Sequence, residues 1–201
     1  MINTVKTTTS VTSTDINELR REAQIIQKNG APFMMASVII WSLATVIRLL
    51  PISLYAMNML TFCSTMLLVP LALIFSKIIG ADIFRKTNNP INKLGILCTC
   101  NQMLYILIVM WAFNQKPECM LMIFAMVFGA HLLPFSWVYQ SRTYLVMSLV
   151  ITIGSLVIGS IFGDVVMGVF LALCQVVTSV SLLLECRKNE SKTRPLDYNG
   201  E

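Results

Sequence analysis

A chain of 201 residues that is 56% hydrophobic and only 12% charged carries about half the charged share of an ordinary soluble domain, roughly 25%. Too few charges remain to solvate a globular surface, and those present gather between apolar blocks of roughly 20 residues, the length that crosses a bilayer. The net charge of +5 is read as a topology signal. Nucleic acid is not an expected partner, because the basic residues flank apolar blocks and no binding module accompanies them.

The six cysteines, Cys63, Cys98, Cys100, Cys119, Cys174 and Cys186, fall mostly inside apolar stretches, where a thiol packs as a small apolar side chain. They do not form a secreted disulfide framework. Cys98-Thr-Cys100 has no second pair at metal-ligand spacing, so neither a metal nor a cofactor is expected.

In chain order, residues 1–14 are polar and rich in Thr and Ser, lack the apolar segment of a cleavable signal, and read as a disordered cytoplasmic tail. Residues 15–30 predict a short amphipathic helix at the membrane surface. Asp15 and Glu18 have capping-box spacing, and Ile16, Leu19, Ala23 and Ile26 share one face while Glu18, Arg21, Glu22 and Lys28 take the other. Gly30 can end this helix in a left-handed conformation, and Pro32 can begin the next, where its missing N–H is no loss.

Residues 31–185 then read as a six-span, all-α transmembrane bundle, with spans near 32–50, 55–79, 94–113, 119–138, 144–162 and 165–184. The loop 80–93 contains Arg85, Lys86, Asn88, Asn89, Pro90 and Lys93, turn-forming and charged residues that stay in water. Gly163 and Asp164 alone separate the last two spans, so four spans with a re-entrant region is the alternative. Residues 186–201 form a polar tail. Of the fifteen Lys and Arg residues, thirteen fall on the side that carries both termini and two, Arg48 and Lys116, on the other. The positive-inside rule therefore expects cytoplasmic termini.

Laid on a depth scale of about 1.5 Å per residue, the polar residues within the spans form two groups. Asn101, Gln102, His131 and Gln175 can share an inner layer, a candidate polar path; His131 is the only histidine. Arg48, Asn58 and Asp164 lie near the outer ends, where Arg48 and Asp164 form a candidate ion pair. Amide and imidazole groups also bond helices together for packing alone, and a long Arg side chain can snorkel to the interface. Pro70 and Pro134 each free a carbonyl one turn earlier. Ser155, Gly159 and Gly163, spaced by four, form a small-residue packing face for an intramolecular contact or a homodimer.

The strings Leu60-Thr-Phe-Cys63, Asn89-Pro-Ile-Asn-Lys-Leu-Gly95, Asn101-Gln-Met-Leu-Tyr105 and above all Phe128-Gly-Ala-His-Leu-Leu-Pro134 resemble a family of small bacterial multi-pass membrane proteins known only as a domain of unknown function. The resemblance runs over about residues 18–188. It implies a bacterial cytoplasmic membrane and one compact helical domain, and brings no activity or site residues with it.

Two functions remain. In one, Asn101, Gln102, His131 and Gln175 line the path of a small permease or channel-like protein, and His131 changes charge. In the other, the protein is a non-catalytic membrane component, the same residues bond helices together, and the loop 80–93 meets a partner, either another membrane protein or a second copy of the chain. Catalysis is not expected, because the spans hold no carboxylate pair and no His-x-x-x-His or Glu-x-x-His spacing. Beyond the lipid bilayer, no small-molecule ligand is identified.

Overall fold

The computed structural model describes residues 13–191 apart from 84, 86 and 87; most of the expected N-terminal tail and the last ten residues of the C-terminal one lie outside the described residues. Among those described there is no strand, and six helices are long and apolar enough to cross a membrane. The protein is an all-α multi-pass membrane protein built as a six-helix bundle.

The N-terminal helix α1 (Ser13–Gln27) leads into the first span, α2 (Ala31–Arg48), through Lys28, Asn29 and Gly30. These three residues have φ of 49°, 53° and 69°, a left-handed run that turns the chain sharply. Gly30 suits its last position because it has no Cβ to clash in that region, and an added Cβ would also lie 3.1 Å from the Tyr144 hydroxyl. Pro32 then occupies the first turn of α2.

Two spans are broken where proline dictates. The second consists of α3 (Leu54–Ser64) and α4 (Leu68–Ile79), joined by a tight turn at Thr65–Leu67; the fourth follows a short turn at Pro117–Cys119 and consists of α6 (Met120–His131) and α7 (Leu133–Val138). Pro70 and Pro134 have no N–H for the carbonyls of Met66 and Ala130. Hydroxyls reinforce the first break: Thr61 donates to the Met57 carbonyl at 2.8 Å, Ser64 to Thr61 at 2.7 Å and Thr65 to Phe62 at 2.7 Å. At the second, the Leu132 N–H reaches the Gly129 carbonyl only three residues back, at 3.1 Å.

The third span is α5 (Pro90–Gln115), capped by Asn89, whose side chain accepts from the Ile91 N–H at 2.8 Å. The fifth, α8 (Arg142–Ile161), is capped by Ser141, and the sixth, α9 (Asp164–Ser191), runs past the expected end at residue 184. Its extra turns are held at Glu185, whose carboxylate accepts from the hydroxyls of Ser141 at 2.6 Å and Thr143 at 2.7 Å. Between α8 and α9 the chain reverses at Gly163, φ 56°. Both helices are long and apolar enough to cross a membrane.

The central helix is α2, the most buried of the spans. It packs antiparallel to α9: a Cβ on Gly168 would stand 2.5 Å from Thr45 Oγ1, and one helical turn further Arg48 meets Asp164. The other intimate pair is α6 with α8, where a Cβ on Gly129 would fall 2.6 Å from Thr152 Oγ1 and 2.8 Å from the Thr152 backbone nitrogen. Of the expected small-residue face, Ser155 is fully buried and Gly159 meets Met122 and Met167, so that face serves contacts within the chain. Gly163 does not belong to it. Nothing lies within 4 Å of its Cβ position, and its left-handed backbone makes it the turn residue. The core joining the pairs is aromatic: Trp41 of α2 lies 5.3 Å from the Phe124 ring and 5.6 Å from the Phe128 ring of α6.

Amphipathic α1 does form, and it is bonded to the bundle. At this end, which carries α1 and the C-terminus of α9 and is called basal below, Arg20 donates to the Trp137 carbonyl at 2.8 Å and stacks over the Trp137 ring at 4.3 Å. Buried Gln24 donates to the Tyr139 carbonyl. Asn89 donates to the Leu19 carbonyl at 2.7 Å and to Glu22 at 3.0 Å, and Gln27 donates to Asn92 at 3.1 Å. The helix thus ties the start of α5 to the end of α7.

Candidate functional site

The lower half of α5 brings Cys98, Asn101 and Tyr105 to one face, because residues three, four and seven apart share a side of a helix. Opposite them stand Ala130 and His131 at the end of α6 and Pro134 in α7. Together these residues line a cleft of about 240 Å³. Its upper wall is apolar, with Ile108 and Val127. Asn101, Ile108, Ala130 and Pro134 are exposed, so the cleft opens sideways from the bundle within the length of the candidate spans.

The polar groups in the cleft have defined hydrogen-bond roles. The Asn101 amide donates to the Tyr105 hydroxyl at 2.8 Å, which leaves the Asn101 carbonyl free to accept and the Tyr105 proton free to be donated. His131 Nδ1 lies 2.9 Å from the Phe128 carbonyl of its own helix. In the neutral imidazole the nitrogen that meets a carbonyl must carry the proton, so Nε2 keeps its lone pair. Ala130 belongs to the same wall; its carbonyl loses its usual helical donor to Pro134 and meets the Leu132 N–H instead.

The structure brings Asn101 and His131 together and leaves Gln102 and Gln175 elsewhere, so the four do not form one polar layer. Gln102 follows Asn101 by one residue, a rotation of about 100°, and is buried with its Oε1 unpaired. Gln175 is fully buried in α9 with both amide atoms unpaired; the α2–α9 register sets it level with Ser37 and Trp41. Depth along each helix was readable from sequence; the rotation of each helix about its axis was not. Tyr105 and Cys98 were overlooked, although their spacing from Asn101 placed them on its face.

At the opposite, apical end, Arg48 Nη1 lies 3.2 Å from Asp164 Oδ2, and Arg48 Nη2 donates to Asn58 Oδ1 at 2.7 Å. Asn58 in turn donates to the Pro117 carbonyl at 2.8 Å. The guanidinium is buried and does not snorkel; it joins α2, α3, α9 and the turn before α6.

Below the cleft, rings continue it toward the basal end. His131 contacts Phe128 at 5.7 Å and Phe135 at 5.5 Å, and Phe135 contacts Tyr139 at 6.0 Å and Tyr144 at 5.9 Å. Tyr139 donates to Gln27 at 2.5 Å and Tyr144 to the Asn29 carbonyl at 2.8 Å. Burial pushes the Tyr139 phenol well above its ordinary pKa, so it remains a donor to α1. No signal in the sequence links residues more than one hundred positions apart in this way.

A model of a family of unknown function, DUF7010, matches residues 16–185. No curated protein and no solved structure matches the chain.

Proposed function

Because the chain belongs to the DUF7010 family, a membership that brings no activity with it, its function must be read from its geometry, and we propose that it is a non-catalytic membrane component that recognises a membrane-embedded partner through the lateral cleft between α5 and α6. The observation that carries this reading is the separation of Asn101 and His131, which line the lateral cleft, from Gln102 and Gln175, which are buried apart from them. A solute path needs its polar groups in one continuous lining. A recognition site needs a concave surface with a few convergent polar groups, which the cleft supplies. The cleft lining holds no carboxylate and no Ser, Thr or Lys beside His131. The charge asymmetry supports both termini in the cytoplasm, and a bacterial cytoplasmic membrane is what the resemblance to small bacterial multi-pass proteins implies.

The permease reading is favoured by one observation, the unpaired amide of Gln175 in the bundle core. One experiment separates the two. Asn101→Cys, His131→Cys and Gln175→Cys are made singly in a background without native cysteines and treated in membranes with an impermeant thiol reagent and a lipid-soluble one. Lateral recognition expects the lipid-soluble reagent to label Asn101→Cys and His131→Cys, with Gln175→Cys protected from both. Labelling of Gln175→Cys by the impermeant reagent, in inserted and folded protein, would restore the water-filled path.

A further inference from the structure

We infer that the ligand of the lateral cleft is a lipid whose headgroup carries a hydroxyl, such as a long-chain alcohol, a diacylglycerol or a prenylated hydroquinone. The inference rests on the lateral-recognition reading and adds the chemical class. It follows from the donor and acceptor inventory of the cleft. His131 Nε2 and the Asn101 side-chain carbonyl accept, while the Tyr105 hydroxyl, already accepting from the Asn101 amide, has its own proton to give. Two acceptors beside one donor select a group that can both donate and accept. A hydroxyl does so: its proton goes to His131 or Asn101, and its oxygen receives the proton of Tyr105.

The competing chemistries fit less well. A ketone or ester carbonyl only accepts and would leave His131 Nε2 and the Asn101 carbonyl without donors. A phosphate or carboxylate would set negative charge against two acceptors, and the lining contains no Lys or Arg. A partner transmembrane helix has its backbone donors bonded internally and would have to fill the notch with one polar side chain. Size agrees with the lipid. A notch of about 240 Å³ is below the roughly 300 Å³ at which pockets begin to enclose a whole drug-sized molecule. It takes a headgroup, while the chain stays in the bilayer along Ile108 and Val127.

The test uses the full chain reconstituted in phosphatidylcholine nanodiscs with a long-chain fatty alcohol bearing a diazirine near its hydroxyl, and the methyl ether of the same probe as control. Crosslinked peptides are mapped by mass spectrometry. The alcohol is expected to label the two cleft walls, residues 98–108 and 127–134, about threefold more than the ether, whose oxygen still accepts from Tyr105 and which lacks only the one hydrogen bond that the hydroxyl proton makes within the membrane. Tyr105→Phe, which keeps the ring, is expected to lower alcohol and ether labelling alike, about threefold, because both oxygens accept from Tyr105; Asn101→Leu, which removes an acceptor for the hydroxyl proton, is expected to lower alcohol labelling about threefold and bring it toward that of the ether. An unlabelled diacylglycerol and a prenylated hydroquinone then compete, and the one that displaces the probe at the lower mole fraction identifies the nearer headgroup. Equal labelling of the cleft by alcohol and ether overturns the hydroxyl class and leaves lateral recognition standing; preferential alcohol labelling displaced by neither competitor assigns the site to the long-chain alcohol itself. Absence of both labels from the cleft walls, in protein with unchanged thermal unfolding, overturns lateral recognition as well.

Discussion

The apical cluster makes an asymmetric prediction, because the two partners of its ion pair are buried to different extents. The Arg48 side chain is 1% exposed and that of Asp164 33% exposed. At 3.2 Å and an effective dielectric of about 20, the gross attraction is about 5 kcal/mol. Partial solvation of Asp164 reduces this, and the Asn58 bond persists when Asp164 is neutralised. Asp164→Asn keeps the size of the side chain, leaves a buried guanidinium without its counter-charge, and should therefore destabilise by about 2–3 kcal/mol, somewhat below the range for breaking fully buried pairs. Arg48→Met removes the buried charge itself. The freed carboxylate can turn to water, and the main loss is the donor to Asn58 Oδ1, about 1 kcal/mol. The double variant should resemble Arg48→Met alone, since Asp164 has little to lose once the cation is gone. The assay is reversible unfolding in mixed micelles titrated with a denaturing detergent, followed by far-UV circular dichroism. If Arg48→Met proves as damaging as Asp164→Asn, or the two losses add, the buried cation is not what makes the cluster sensitive.

Three further outcomes are expected in the same assay. Gly129→Ala should destabilise by about 1–3 kcal/mol through overpacking, because its Cβ would fall 2.8 Å from the Thr152 backbone nitrogen; Gly95→Ala, with open space around it in α5, should stabilise by about 0.5–1 kcal/mol, and the reverse ranking would contradict the α6–α8 approach. Asn89→Ala removes the α5 cap and the bonds to Leu19 and Glu22, at about 2 kcal/mol, and should raise protease cleavage between residues 20 and 32; unchanged cleavage would mean α1 is held elsewhere. Tyr139→Phe loses the bond to Gln27 at about 1 kcal/mol, and no pH dependence of stability between pH 6 and 9 should be traceable to the wild-type phenol, whose pKa burial raises in the fold: a group protonated in both folded and unfolded states over that range contributes no slope.

The sequence by itself determined that the chain is all-α, with six helices long and apolar enough to cross a membrane. Apolar length sets the six spans, charge marks the loops, Gly30 and Pro32 punctuate α1 and α2, and Pro70 and Pro134 fix the two broken spans, because each is a local consequence of hydration or of a missing N–H. It also set depth, which is why Arg48 and Asp164 could be named together before their contact was known. Rotation about each helix axis was decided only by tertiary packing. Asn101 and Gln102 differ by one position and end on different sides of α5, one in the cleft and one buried, and Gly163 leaves the small-residue face because the chain has to reverse there. The docking of α1 was equally illegible. Its bonds join residues such as Gln24 with Tyr139 and Asn29 with Tyr144, and hydrophobic periodicity records which face of a helix is apolar but not which distant backbone its polar face will meet.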